Sequence, residues 1–281
     1  MTDPDPAHPA IFPARPSRFV RPGFLWYAAR LFRKRFNALR LTPDSEDSIR
    51  EAAERDAPLL VVSNHPGWWD PLVLFLIGDR YFPDRPTSGP IDAAQWRKFS
   101  ALKRVGLFGL DTEHPDAFDA LVAHCTRLCA HSPRTAFGIT AQGAFTDVRA
   151  PVRLRPGAAA LASALPNPSV LAVNLEYAFW NEPKPEAFLH ARGVQPPDSA
   201  STTSWQRALT RTLRHGSETL SGLVIAREPD AFRLFSQRRG GRAHASGVTP
   251  LHDLWMRLRG HDPRMPTGTD RRQPLSGDAA R

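Results

Sequence analysis

The chain has 281 residues, of which 41% are hydrophobic and 23% charged, with 28 prolines, two cysteines and a formal net charge of +9. That composition belongs to a globular domain with a full core, and it excludes a disordered chain and a disulfide scaffold. No apolar run approaches the ~20 residues of a membrane-spanning helix, and the start, Met1-Thr2-Asp3-Pro4-Asp5-Pro6, is unlike a signal peptide, so the expected location is the cytoplasm.

Residues 1 to 22 are Pro-rich and predicted to be irregular. The charge is uneven: between Asp5 and Asp44 there are eight Lys or Arg and no acid. Within that window a basic amphipathic helix is predicted over about 23 to 40. Leu25, Ala28, Phe32, Phe36 and Leu39 fall on one face, Arg30, Arg33, Lys34 and Arg40 on the other, and Trp26 and Tyr27 lie near its start. Such a segment either lies in an anionic membrane interface, peripheral on the inner face of the cell membrane, or packs its apolar side on the domain core. A nucleic-acid arm is a third option, but no reading module accompanies the charge, and no nucleic-acid partner is predicted.

A helix is next predicted over 45 to 55, with Ser45 as a cap before acids in the first turn. Leu59-Leu60-Val61-Val62 then reads as a buried strand over 59 to 63, ending in Ser63-Asn64-His65-Pro66-Gly67-Trp68-Trp69-Asp70. A histidine and an aspartate five positions apart can meet, the carboxylate holding Nδ1–H and leaving Nε2 free to take a proton from a hydroxyl. His114 and Asp119 have the same spacing; they are set aside here because no strand is assigned directly before His114. Strand ends are where open α/β sheets place their chemistry.

A helix over 71 to 78, a Pro- and Asp-rich loop over 79 to 92 and a helix over 93 to 104 are expected, then a strand over 105 to 110 and a helix over 115 to 130. The last carries Cys125 and Cys129, read as thiols of a reducing compartment acting as small hydrophobes. A strand over 135 to 140 empties into Ala141-Gln142-Gly143-Ala144-Phe145-Thr146-Asp147. A helix over 157 to 164 and a strand over 169 to 177 follow, the latter the strongest in the chain. Strands alternating with helices imply an α/β domain, its central sheet largely parallel or mixed and flanked by helices. Beyond 182 the signal thins to a loop over 195 to 204, an amphipathic helix over 205 to 221, a Gly- and Arg-rich stretch over 239 to 247 and a short helix over 252 to 259. The domain is expected to span 23 to 262, with a disordered tail from 263 to 281.

Four blocks in this order resemble the glycerolipid acyltransferase superfamily, the lysophospholipid and glycerol-phosphate acyltransferases. They are Asn64-His65-Pro66-Gly67-Trp68-Trp69-Asp70, similar to the family's His-x4-Asp block; Gly106-Leu107-Phe108-Gly109-Leu110-Asp111, similar to its Gly-plus-apolar strand; Ile139-Thr140-Ala141-Gln142-Gly143, standing where the family has Phe-Pro-Glu-Gly; and Pro168-Ser169-Val170-Leu171-Ala172-Val173, like its final apolar strand. Tyr177-Ala178-Phe179-Trp180-Asn181-Glu182 is similar to a bacterial branch, some members of which acylate glycosylated carotenoids.

The resemblance implies transfer of a fatty acyl group from acyl-CoA or acyl carrier protein to a hydroxyl of a lipid acceptor, with no cofactor and no metal. His65 and Asp70 would be catalytic, and Asn64, Gln142, Gly143, Arg149, Arg153 and Arg155 would bind substrate. Two departures stand out: Gln142 and Phe145 replace the family's Glu and phosphate-binding Arg, and Asp111 and Thr112 stand where the second block carries an Arg. An uncharged acceptor hydroxyl gains weight accordingly. Gln142 either bonds a sugar or glycerol hydroxyl or simply ends a strand; the three arginines bind phosphate or form a solvated face; and Trp68 and Trp69 line an acyl channel or fill space between helix and sheet. The backbone N–H of Gly143, or of the residues just before it, is the candidate oxyanion donor. A catalytically inactive, lipid-binding member of the same fold is the alternative.

Overall fold

The computed structural model describes residues 9–180, 182–237, 255 and 258–260. The chain opens with β1 (Ile11–Phe12), α1 (Val20–Arg35), β2 (Ala38–Leu41), α2 (Pro43–Glu54), β3 (Leu59–Ser63) and α3 (Asp70–Tyr81). It continues through β4 (Thr87–Asp92), the short α4 (Ala93–Lys98) and α5 (Ser100–Arg104), β5 (Leu107–Leu110), α6 (Ala117–His131) and β6 (Ala136–Thr140). Last come α7 (Gly157–Ala164), β7 (Ser169–Ala178), β8 (Glu186–Gly193), α8 (Thr202–Ala226) and β9 (Arg233–Gln237).

The strands form one sheet in the order β1-β5-β4-β6-β3-β7-β8-β2-β9. Five of its eight pairings are parallel; β1 with β5, β7 with β8 and β2 with β9 run antiparallel. This is the expected α/β fold with a mixed sheet flanked by helices. Strand β3 lies near its centre, paired in parallel with β6 and β7, and all five of its residues are buried. Successive side chains of a strand point to opposite faces. Leu60 and Val62 pack with Leu121 of α6, Leu161 of α7 and Leu209 of α8, while Leu59 and Val61 pack with Phe32 of α1, Ile49 of α2 and Val73 of α3. Burial on both faces is why β3 reads as an unbroken apolar run.

Several expected boundaries are corrected. The basic helix runs over Val20–Arg35, not 23 to 40; Phe36 turns extended and Leu39 and Arg40 belong to β2. Leu39 keeps helical register with Leu25 and Phe32 while being a strand residue, so the periodicity misleads past Phe36. The apolar face of α1 packs on the core through Leu25, Ala28 and Phe32, so that face is not the one available to lipid; Trp26 and Tyr27 are exposed instead. Ser45 does not cap α2. Thr42 stands at the N-cap, and Ser45 Oγ meets Thr42 Oγ1 at 2.7 Å and accepts the Ala191 N–H at 2.8 Å.

Within the expected loop over 79 to 92 lies β4, hidden by its Gly89 and Pro90; a Cβ on Gly89 would stand 2.5 Å from the Gly138 carbonyl oxygen. Strand β8 is hidden by buried polar residues, since Glu186 accepts from Asn37 Nδ2 at 2.6 Å and from Arg40 Nε at 2.5 Å, and His190 Nδ1 meets Thr42 Oγ1 at 2.8 Å. The expected stretches at 239 to 247 and 263 to 281 lie outside the described residues, as does most of the short helix over 252 to 259.

Candidate active site

Strand β3 delivers its last residue, the buried Ser63, to the C-terminal edge of the parallel strands, and the chain turns at once into α3. Asn64 prolongs the grip of β3 on β7. Its N–H donates to the Val173 carbonyl at 3.2 Å, its Oδ1 accepts the Leu175 N–H at 2.8 Å and its Nδ2 donates to the Leu175 carbonyl at 2.9 Å. A side-chain amide here takes over from the backbone one rung past the strand end, so the turn starts from a fixed point.

Asp70 is the first residue of α3 and is fully buried. Its carboxylate turns back over the loop: Oδ2 accepts from His65 Nδ1 at 2.6 Å and from the Gly67 N–H at 3.0 Å, and Oδ1 accepts the Tyr177 hydroxyl at 2.6 Å. A negative group at a helix N-terminus is favoured by the unpaired N–H groups there. Burial, followed by the nearby Asp70 charge, pushes the Tyr177 hydroxyl well above its ordinary pKa, so this donor keeps its proton. With Nδ1 held by Asp70, Nε2 is the ring nitrogen of His65 left open to another group.

The main chain of His65 is held on both sides. Its N–H donates to Gln142 Oε1 at 2.7 Å and its carbonyl accepts the Thr146 N–H at 2.9 Å. Both partners sit in the turn after β6, where the Ala141 N–H reaches the Ser63 carbonyl at 2.9 Å and the Gly143 N–H closes back on the Thr140 carbonyl at 3.2 Å. Gly143 has φ +70°, a backbone conformation that calls for glycine, and Arg155 folds over it, so that a Cβ there would stand 2.6 Å from Arg155 Cδ and Nε. The Phe145 ring meets the His65 imidazole edge-on at 4.6 Å and is 62% exposed.

His65, Asp70, Gln142, Gly143 and Arg155 therefore come together, and Asn64 adjoins them with its amide turned to Leu175. Arg149 is occupied elsewhere, forming a two-point pair with Asp147 at 2.8 and 2.6 Å that holds the Asp147 carboxyl below the usual range. Arg153 is exposed. Of the two tryptophans, Trp69 packs edge-on against Phe36 at 5.1 Å, whereas Trp68 is 65% exposed. Cys125 and Cys129 are buried; burial pushes both thiols up, that of Cys129 to about 11, so they behave as small hydrophobes.

Sequence reasoning misses Tyr177, although the signal is present. Leu171, Val173 and Leu175 pack on the α3 face, and the same alternation carries on to Tyr177. Ser63, the last residue of β3, pairs with Val173, so position 177 stands level with the His65 turn.

The fold and the pair define a class: an α/β protein with a hydrogen-bonded histidine and aspartate at the end of a central parallel strand. No protein-family profile matches the sequence, and no curated protein matches it. Among solved structures the chain is similar to the 1-acyl-sn-glycerophosphate (LPA) acyltransferase PlsC from Thermotoga maritima, at 15% identity and a TM-score of 0.50, over 72% of this chain and 81% of that one. At that identity the likeness is one of fold.

Proposed function

We propose that the protein is an O-acyltransferase that moves a fatty acyl group from an acyl thioester, on CoA or an acyl carrier protein, to a hydroxyl of a lipid acceptor. The observation that carries this reading is the His65–Asp70 pair at 2.6 Å, set at a parallel-strand end of a fold similar to that of a lysophosphatidate acyltransferase. His65 Nε2 takes the hydroxyl proton while Asp70 balances the imidazolium. The resulting alkoxide attacks the thioester carbonyl, and the tetrahedral intermediate collapses to an ester, expelling a thiolate that recovers the proton from His65. No acyl-enzyme is required. The Gly143 N–H is engaged within its turn, which leaves the Gln142 N–H, without a partner among the described residues, as the donor for the oxyanion.

The acceptor is proposed to be an uncharged or glycosylated lipid. Phe145 occupies the position of the family's phosphate-binding arginine and lies against the base, and Arg149 is held by Asp147, so cationic contacts to an acceptor phosphate are reduced to Arg155. The exposed face of α1, with Trp26, Tyr27, Arg30, Arg33 and Lys34, suits the interface of an anionic membrane. No helix among the described residues is long and apolar enough to cross one.

The test is thiol release from acyl-CoA and acyl carrier protein with sugar lipids, neutral lipids and lysophosphatidate as acceptors, for the wild type and His65→Ala. Acceptor-dependent release that vanishes in the variant is the expected result. Release without acceptor would indicate a thioesterase, and no release from either protein would favour the lipid-binding alternative.

A further inference from the structure

Helix α8 presents Arg207, Arg211 and Arg214 on one exposed face, at intervals of four and three residues that bring them onto neighbouring turns. None of the three forms an ion pair or a side-chain hydrogen bond among the described residues. Five arginines elsewhere do pair with acids: Arg40 with Glu186, Arg50 and Arg233 with Glu46, Arg134 with Asp56, and Arg149 with Asp147. Like charges at this spacing oppose helix formation, and one acid, Glu218, lines the same groove four residues beyond Arg214. The position of the three arginines points to a use. Gln206 donates from Nε2 to the Leu154 carbonyl at 2.9 Å, which seats the start of the strip beside Arg153 and Arg155, and Arg155 folds over Gly143 in the catalytic turn. A positive surface thus leads from α8 to the candidate base.

We infer that this arginine face of α8 docks the acyl donor as an acyl carrier protein, a small acidic helical protein that carries its acyl group on a phosphopantetheine arm. The inference rests on the transferase reading and names its donor. Three observations select this occupant. The arginines lie along a convex helix face bordering an open groove rather than an enclosed cavity, whereas a nucleotide such as that of CoA is bound by convergent groups in a concave pocket. A line of positive charges spread over two helical turns complements an acidic helix, which carries its carboxylates at the same intervals. Finally, α8 and α1 cover opposite faces of the sheet, so when α1 lies on a membrane the arginines of α8 face away from it, toward soluble partners.

The test is calorimetric titration of the full-length protein with a purified acyl carrier protein, together with initial rates of transfer of one acyl group from that carrier and from CoA. The wild type is compared with Arg207→Glu/Arg211→Glu/Arg214→Glu and with the corresponding triple lysine variant. Wild-type carrier binding is expected to weaken with salt; charge reversal should lower carrier affinity and the carrier-supported rate about tenfold or more, and the lysine variant should retain both. The acyl-CoA rate and liposome flotation should stay within about twofold of wild type for both variants.

Absent carrier binding, or binding indifferent to charge reversal, overturns the proposal. So does a parallel fall in the rates from both donors, the signature of a phosphate site or a damaged fold, and so does a selective loss of flotation, the signature of a lipid surface. Failure of the transferase reading looks different: arginine-dependent carrier binding with no transfer from either donor leaves the docking surface standing, whereas transfer from CoA with no carrier binding leaves only the transferase.

Discussion

His65 and His114 each stand five residues before an aspartate, and each lies between a strand of the parallel region and a helix: β3 and α3 for the first, β5 and α6 for the second. The expectation that no strand precedes His114 is thus corrected, and strand context does not distinguish the two. The aspartates do. Asp70 is the first residue of α3, and its buried carboxylate reaches back to Gly67 and His65. Asp119 is the third residue of α6 and points into solvent, while His114 Nδ1 accepts the Asp116 N–H at 3.1 Å. A shared spacing becomes a dyad only where the helix starts on the acid and a second strand closes over it. That second strand is β7, which brings Tyr177.

The largest expected effect breaks the comparison outright. His65→Ala should lower kcat/KM by about a thousandfold or more, the scale of a lost general base, while His114→Ala should leave it unchanged; equal effects on the two would remove His65 from the chemistry. Next, Asp70→Asn, which keeps the shape but lets Nδ1 of His65 lose its anionic partner, should cost about a hundredfold or more in kcat, against no change for Asp119→Asn, both read by steady-state rates beside thermal melts.

Tyr177→Phe is expected to be intermediate, about tenfold in kcat with little change in KM. Removing the hydroxyl takes away one of the hydrogen bonds that hold the Asp70 carboxylate in place behind His65. An unchanged kcat would reduce Tyr177 to packing.

The smallest effect concerns stability and sits in α6. His124 is half-buried against Phe108, its Nε2 has no partner among the described residues, and burial lowers its pKa. Its folded-state pKa is thus below the unfolded value, so the unfolded chain binds the extra proton, and stability that is complete above about pH 6.5 falls as the pH drops toward the folded pKa. His124→Phe should flatten that decline in melting temperature between pH 7 and pH 5, leaving the share due to His190, which burial lowers in the same direction.

The elements buried on both sides were the ones legible in the sequence. The predicted strand over 59 to 63 and helix over 157 to 164 agree with β3 and α7, and the strand over 169 to 177 needs one more residue to match β7. Helix α8 was recognised but trimmed at both ends. Two of the strands that escaped, β8 and β4, carry polar or turn-forming residues for reasons that exist only in three dimensions. Glu186 in β8 is polar because Asn37 and Arg40 await it from β2, and Gly89 in β4 is bare because Gly138 presses against it. The site divides the same way. His65 and Asp70 stand five residues apart, and their meeting is a local matter of one turn. Tyr177 lies 107 residues from Asp70, and Gln142 lies 77 from His65, so the grip of the first on the carboxylate and of the second on the backbone depends on strand registry that no local pattern spells out.

The double hold on the His65 peptide, by the Gln142 side chain on one side and the Thr146 N–H on the other, restricts how the site can breathe. A turn that lifted away would pull His65 out of line in the same movement, because both bonds would have to break together. The segment from 141 to 147 is therefore a wall rather than a door, with Trp68 and Phe145 exposed at its rim. Hydrogen exchange reads this directly: the amides of His65 and Thr146 should open as one unit, at one rate, and slow together when a substrate analogue is bound.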